Sequence, residues 1–279
     1  MTGQRTVLVT GASSGIGKAT ALECARRGHH VFAAARREDI LGEMAAGSPN
    51  ISAIGMDVTD GDSVRRAWAK IDADTGGAGV DVLVNNAGFA LAGPVEMLSD
   101  DDVHRQFETN IFGLLSVTRT VLPGMRARRS GRIINLSSVL GRITFPGMGV
   151  YGATKYALEA LSDALRQELA GSGIKVIVME PGFVATNLAG ATDGRTGSGV
   201  AVPDAYARLV ARSERYLAAQ MAKAIAPEQV AAAIADTATR RNPRPRYVVP
   251  ARSKPLITLL GALPDRLADR AKQQALGLR

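Results

Sequence analysis

Short, nearly continuous apolar runs recur along the chain at residues 7–10, 31–35, 51–56, 82–84, 133–136, 175–179 and 247–249. A strand with one face in water alternates apolar and polar residues. A parallel strand covered on both faces does not, so these unbroken runs predict seven buried parallel strands. Between them, residues 15–27, 40–45, 61–73, 100–127, 149–170 and 227–240 have helix-forming compositions, several opened by Ser, Asp or Pro and closed near Gly. Regular strand–helix alternation requires right-handed crossovers and predicts an α/β fold, a doubly wound parallel sheet with helices on both faces.

One segment breaks the rhythm. A Gly/Thr/Ser-rich stretch at 189–199 precedes a helical pattern carrying Tyr206, Leu209, Val210, Leu217 and Met221. In such sheets ligands bind beyond the carboxyl ends of the strands, where a long loop is often functional, so residues of about 187–225 read as a substrate lid. The other reading is that this apolar stripe packs on the core.

A chain of 279 residues accommodates one undivided α/β domain spanning 1–279. It contains no apolar run near the ~20 residues that a membrane-spanning helix needs. The first strand starts too early to leave room for a signal peptide, so a cytoplasmic protein is expected. Cys24 is the one cysteine, which excludes an intramolecular disulfide, and among Ala21, Leu22 and Ala25 it reads as a small packing residue. The net charge of +8 is confined to the tail, where residues 240–279 carry ten Lys or Arg against Asp265 and Asp269. Tyr247 is the single aromatic among these cations, so the pattern does not indicate a nucleic-acid surface. The extension at about 250–279 mixes Leu256, Ile257, Leu259, Leu260, Leu263, Leu267 and Leu276 with Lys254, Arg266, Arg270 and Lys272. That pattern suits peripheral contact with an anionic membrane, or packing on the sheet with the cations left in water.

The candidate chemistry lies at strand ends. The first strand runs into Gly11, Ser13, Ser14, Gly15, Ile16 and Gly17, which open a helix. Glycines allow a tight turn and close approach to a pyrophosphate, and the helix N-terminus supplies N–H groups and partial positive charge. At the end of the second strand, an acidic residue would bind the ribose 2′-hydroxyl of NAD; here stand Ala35, Arg36 and Arg37. A guanidinium without a carboxylate suits a 2′-phosphate, so NADP(H) is the expected cofactor. Asp57, followed by Val58, could accept from an adenine amino group, and Asn86, Ala87 and Gly88 allow close approach at the end of the fourth strand.

Tyr151 and Lys155 are four apart and share a helix face, where an ammonium and an oxidised nicotinamide would both favour phenolate. Ser138, at the end of the fifth strand, could steady a developing alkoxide. Asn110 interrupts a helical segment; its amide could hold a water leading to Lys155 or satisfy a helix irregularity itself.

Taken in order, the glycine turn, Asp57, the Asn-Asn-Ala-Gly run, Asn110, Ser138, the Tyr-x-x-x-Lys pair and Pro181-Gly182 resemble the short-chain dehydrogenase/reductase family of single-domain Rossmann enzymes. The resemblance implies a catalytic tetrad of Asn110, Ser138, Tyr151 and Lys155. It further implies that Lys155 and Tyr151 also meet the cofactor, that Pro181, Gly182, Val184 and Thr186 line its nicotinamide end, and that the chain forms a homodimer or homotetramer. Residues 131–138, 145–168 and 180–187 are similar to the 17β-hydroxysteroid and retinol dehydrogenase branch, which implies a bulky apolar alcohol or ketone substrate. The alternatives are a 3-oxoacyl-thioester reductase and a catalytically idle NADP(H)-binding sensor. The glycine-rich lid and the longer tail depart from the minimal family pattern.

Overall fold

The structure is a computed structural model and describes residues 3–186, 188 and 202–278. The strands are β1 (Thr6–Thr10), β2 (His30–Ala35), β3 (Ile51–Gly55), β4 (Val82–Asn85), β5 (Gly131–Leu136), β6 (Ile174–Pro181) and β7 (Arg246–Val249). All pair in parallel, in the order β3-β2-β1-β4-β5-β6-β7. The seven expected strands are these seven, displaced by a residue or two at their ends. The connecting helices are α1 (Gly15–Arg26), α2 (Glu38–Ala46), α3 (Gly61–Asp74), α4 (Asp100–Phe107), α5 (Leu114–Ala127), α6 (Gly149–Glu168), α7 (Asp204–Met221) and α8 (Pro227–Thr239). Beyond β7 follow α9 (Lys254–Ala262) and α10 (Asp265–Ala275).

The continuous apolar runs have the expected cause. Val7 and Val9 of β1 face a core shared with Ala21, Cys24, Leu41 and Ile234 from α1, α2 and α8. Leu8 between them faces a second core with Val64, Ile71, Val117, Val121 and Met125 from α3 and α5. An inner strand such as β1 therefore buries both sets of alternating side chains. Cys24 is fully buried and burial pushes its thiol up to about 12, as befits a packing residue and not a nucleophile.

The helix expected over 100–127 is not continuous. Ser99 caps α4 by accepting from the Asp102 backbone N–H at 3.2 Å. The chain then widens into a π-helical turn at Glu108–Gly113 before resuming as α5. Asn110, the residue that interrupts the helical composition, lies within this turn, while its π geometry leaves the propensities on either side unchanged.

β7 is the edge strand, and its residues are only half-buried. It is pinned by charge. Arg246 Nε donates to Glu159 Oε2 at 2.9 Å and Nη2 to Asp163 Oδ2 at 2.6 Å, both on α6. The same guanidinium lies 3.5 Å from Glu180 Oε1 on β6, and Arg142 lies 3.8 Å from that oxygen. Burial, reinforced by the neighbouring Glu159, outweighs these cations and pushes the Glu180 carboxyl up to about 7.

A carboxyl raised in the folded state binds its proton more tightly there than in the unfolded chain. Its stabilising contribution is therefore complete below the ordinary carboxylate range and is lost as pH rises through about 7. Glu180→Gln should flatten the stability profile between about pH 4.5 and 7, removing a slope of up to about 1.4 kcal/mol per pH unit. Urea denaturation of both proteins across that range measures the difference; identical slopes would remove Glu180 as its source.

Candidate active site

Because every strand is parallel, Thr10, Ala35, Gly55, Asn85, Leu136, Pro181 and Val249 end at one edge of the sheet. The strand order reverses between β1 and β4, and the crevice outside that reversal is where open α/β sheets bind ligands. Side chains stitch it together. Thr10 Oγ1 accepts from the backbone N–H groups of Asn86 and Ala87 at 3.0 and 3.1 Å, and Asn86 Nδ2 donates to the Thr10 carbonyl at 2.9 Å. Gly11 has φ of +65°, and a Cβ there would lie 2.9 Å from Ala87 Cα. At Gly17, a Cβ would run into the Gly11 carbonyl oxygen. Only glycine at both positions lets the first turn of α1 lie against the strand ends.

Ser14, the residue that precedes α1, makes no side-chain cap hydrogen bond, and the first turn holds no acidic residue among the described ones. The positive end of this helix is thus left for an anion. Ser13 and Arg37 are drawn together: Arg37 Nε and Nη2 donate to Ser13 Oγ at 3.1 and 3.0 Å. Arg36 projects into solvent, 4.0 Å from Asp57 Oδ2. Asp57 Oδ1 accepts from both the backbone N–H and the hydroxyl of Thr59, so only its other oxygen faces the crevice arginine. Val58 is buried against the π turn, where a Cβ on Gly113 would meet its Cγ2 at 2.7 Å. Ile16 packs against the α1 core, and Thr186 lies over Gly15.

Ser138, Tyr151 and Lys155 are brought together, all buried. Ser138 closes β5 and accepts from the Leu140 N–H at 3.1 Å, so its own proton remains available to donate. Tyr151 and Lys155 lie one turn apart on α6, with Lys155 Nζ 5.6 Å from the phenol ring centroid and donating to the Leu136 carbonyl at 2.7 Å. Burial holds the ammonium down at about 8, partly opposed by Glu159 one turn further along. The sequence led us to expect a phenol shifted toward phenolate. In the protein alone the direction is the reverse: burial pushes Tyr151 up to about 12, against a smaller downward pull from its Ser138 hydrogen bond. The phenol carries its proton at neutral pH.

Of the two readings of Asn110, the geometry displays the second. Its Oδ1 accepts from the Phe89 N–H at 3.1 Å, and its Nδ2 donates to the Phe89 carbonyl at 3.0 Å and to Thr154 Oγ1 at 3.1 Å. The amide is spent within the protein, joining the π turn to the backbone after Gly88 and to the residue before Lys155.

Pro181 ends β6, Gly182 N–H donates to the Val249 carbonyl at 2.9 Å, and Val184 forms a parallel bridge with Ile225. Between these segments and Ser138 lies a group that sequence reading missed. Tyr216 of α7 stacks on Phe145 at 5.7 Å and meets Phe183 edge-on at 6.4 Å. Tyr206 donates to Glu96 at 2.7 Å. Thus α7 meets Glu96, Phe145 and Phe183, with Leu209, Val210 and Leu217 half-buried; the 189–199 loop of the expected lid lies outside the described residues. A groove of about 690 Å³ at the opposite edge, lined by Arg166, Lys175 and Arg244, contains none of these residues.

A glycine cradle closed to any Cβ, an uncapped helix N-terminus and a Ser–Arg pair beside it fit a dinucleotide. The comparisons agree. The model of the short chain dehydrogenase family matches residues 5–195. The chain is 37% identical over 270 residues to an uncharacterized oxidoreductase, YbbO, of Escherichia coli, covering 97% of this chain and 94% of that one. It is 36% identical to the 3-ketodihydrosphingosine reductase of Bacteroides thetaiotaomicron, covering 95% of each, and 31% identical to the NADPH-dependent 3-dehydrocapnine reductase of Ornithobacterium rhinotracheale, again covering 95% of each. Among solved structures, a short-chain dehydrogenase from Streptomyces avermitilis superimposes with a TM-score of 0.82 at 35% identity, over 99% of this chain and 98% of that one. With a crevice built for a nicotinamide dinucleotide and relatives matched along nearly their whole length, the chain belongs to the short-chain dehydrogenase family of oxidoreductases.

Proposed function

We propose that the protein is an NADP(H)-dependent reductase of a ketone borne on a large apolar substrate, and that one domain with α7 as part of its lid carries both cofactor and substrate sites. The observation that carries the reading is the buried grouping of Ser138, Tyr151 and Lys155 beyond the strand ends, and the reductive direction follows two relatives named as reductases. When bound, the reduced nicotinamide supplies a hydride. Ser138 donates to the substrate oxygen, and Tyr151 hands its proton to that oxygen as negative charge develops. Lys155 steadies the phenolate left behind and, held near 8, can itself return a proton. Asn110 acts as a positioning residue, through Thr154 and the Gly88–Phe89 backbone. NADP(H) is supported by Arg37 on Ser13, by Arg36 at the crevice rim and by a buried Ala35 where a carboxylate would otherwise stand.

The aromatic group of Phe145, Phe183 and Tyr216 and the half-buried stripe of α7 favour an apolar substrate. Two relatives are named for reducing 3-ketodihydrosphingosine and 3-dehydrocapnine, which favours a 3-oxo group on a long chain over the steroid or retinoid that sequence similarity suggested. Exposed Phe112 and Tyr156, on the π turn and α6, support pairing of these helices in a homo-oligomer. Rates of NADPH consumption on 3-ketodihydrosphingosine, a ketosteroid and a 3-oxoacyl thioester test the substrate class, with the first expected to be turned over fastest.

Tyr151→Phe should lower turnover ~10²–10⁴-fold while leaving NADPH binding nearly intact, because only the proton donor is lost. Near-normal turnover in that variant would sink the assignment. Arg36→Ala and Arg37→Ala should each weaken NADPH binding about ten- to a hundredfold and NADH binding much less, since each removes charge-assisted bonds to the 2′-phosphate and Arg37→Ala additionally frees Ser13. Fluorescence titration with both cofactors measures this; equal weakening of both would show that neither arginine reads the 2′-phosphate.

A further inference from the structure

In the C-terminal helices some apolar residues of the tail pack on the protein and others face solvent. Ile257 of α9 and Ala268 of α10 are buried, and Leu276 just beyond α10 is buried beside α7, where a Cβ on Gly277 would meet Arg212 at 3.0 Å. Leu256 and Leu259, on the opposite side of α9, are 60% and 59% exposed, and Leu267 of α10 is 49% exposed. Exposed Arg252, Lys254, Arg266 and Arg270 lie within four residues of one or other of these leucines along the chain. Two acidic residues share the segment, Asp265 and Asp269, the latter 3.6 Å from Lys272.

We propose that the outer face of α9 and α10 docks on an anionic lipid surface, the leucines entering the interface and the cations meeting the headgroups. Charge decides the occupant. A second copy paired through a two-fold axis would set this patch against itself, cation against cation. A nucleic-acid backbone would satisfy the arginines but leave three leucines in water. An anionic bilayer satisfies both sets of side chains. Position supports the same occupant: β7 ends at the sheet edge that carries the site, and α9 emerges there with Gly261 against the Arg142 carbonyl, four residues after Ser138. A lipid-docked face would therefore hold the crevice mouth near the bilayer, which rests on the reading above that the substrate is apolar.

Vesicle sedimentation tests the docking without any turnover, so its outcome is independent of the substrate assignment. The full-length protein should pellet with vesicles of equal parts phosphatidylcholine and phosphatidylglycerol and release as salt is raised, and should stay in the supernatant with phosphatidylcholine alone. Leu256→Glu/Leu259→Glu and Arg266→Gln/Arg270→Gln should each reduce that binding more than tenfold with melting temperature and NADPH affinity unchanged. Failure of the parent protein to bind the anionic vesicles would overturn the proposal, as would undiminished binding in the leucine variant. A drop in molecular mass of the leucine variant by light scattering would also overturn it, assigning the face to a second copy.

Discussion

Everything at the site depends on how closely α1 approaches the ends of β1 and β4. A helix packed on a sheet ordinarily stands off by the length of its side chains. Here Gly11 and Gly17 remove those side chains where the approach is closest, and the peptide groups of the helix's first turn come to the edge of the crevice itself. Thr10 and Asn86 then lock the two strand ends that frame it. With that corner rigid, Ser13 is set beside Arg37, and the backbone after Gly88 is set against Asn110. The glycine turn and the backbone beside the π turn are thereby held in one frame.

The other half is placed from within the core. Asn85 donates to Thr118 and to Asn135, each at 2.9 Å, and Asn135 donates to Ser162 at 2.9 Å, so β4, α5, β5 and α6 are joined by one buried chain of polar groups. Hydrogen bonds in so dry a setting are strong when made and expensive when lost, which fixes the position of α6 on the sheet more sharply than leucine packing would. That precision matters two turns earlier on the same helix, where Tyr151 and Lys155 face Ser138. Burying an ammonium there costs stability, and the cost is expressed as the drop of Lys155 to about 8.

Much of this was legible in the chain because the signals are local. Parallel strands betray themselves by unbroken apolar runs, and Tyr151 and Lys155 by their spacing. The arginines after β2 were visible as candidates for a phosphate, although adjacent residues cannot tell which guanidinium turns inward: Arg37 meets Ser13 while Arg36 leans toward Asp57. What escaped notice joins residues far apart in sequence. Arg246 meets Glu159 from 87 positions away, and Tyr216 reaches Phe145 and Phe183 across the crevice. The direction of the Tyr151 shift was also hidden, since it follows from how completely the phenol is enclosed and not from which charges are nearby in the chain.

The π turn at Glu108–Gly113 has a consequence for how this segment can change length. A π turn is what a helix makes of one surplus residue: the coil widens locally, and the turns on either side keep their angular phase. Leu114, Val117, Val121 and Met125 therefore face the core as they would from an uninterrupted helix. A chain shortened by one residue within this turn could close into ordinary α-helix with both flanking faces still correctly aimed, and the sheet would be covered as before. It would no longer present an amide to Phe89 and Thr154. On this geometry such a deletion would spare the covering of the sheet and cost the crevice its amide, which makes the count of residues here a constraint of the site more than of the core.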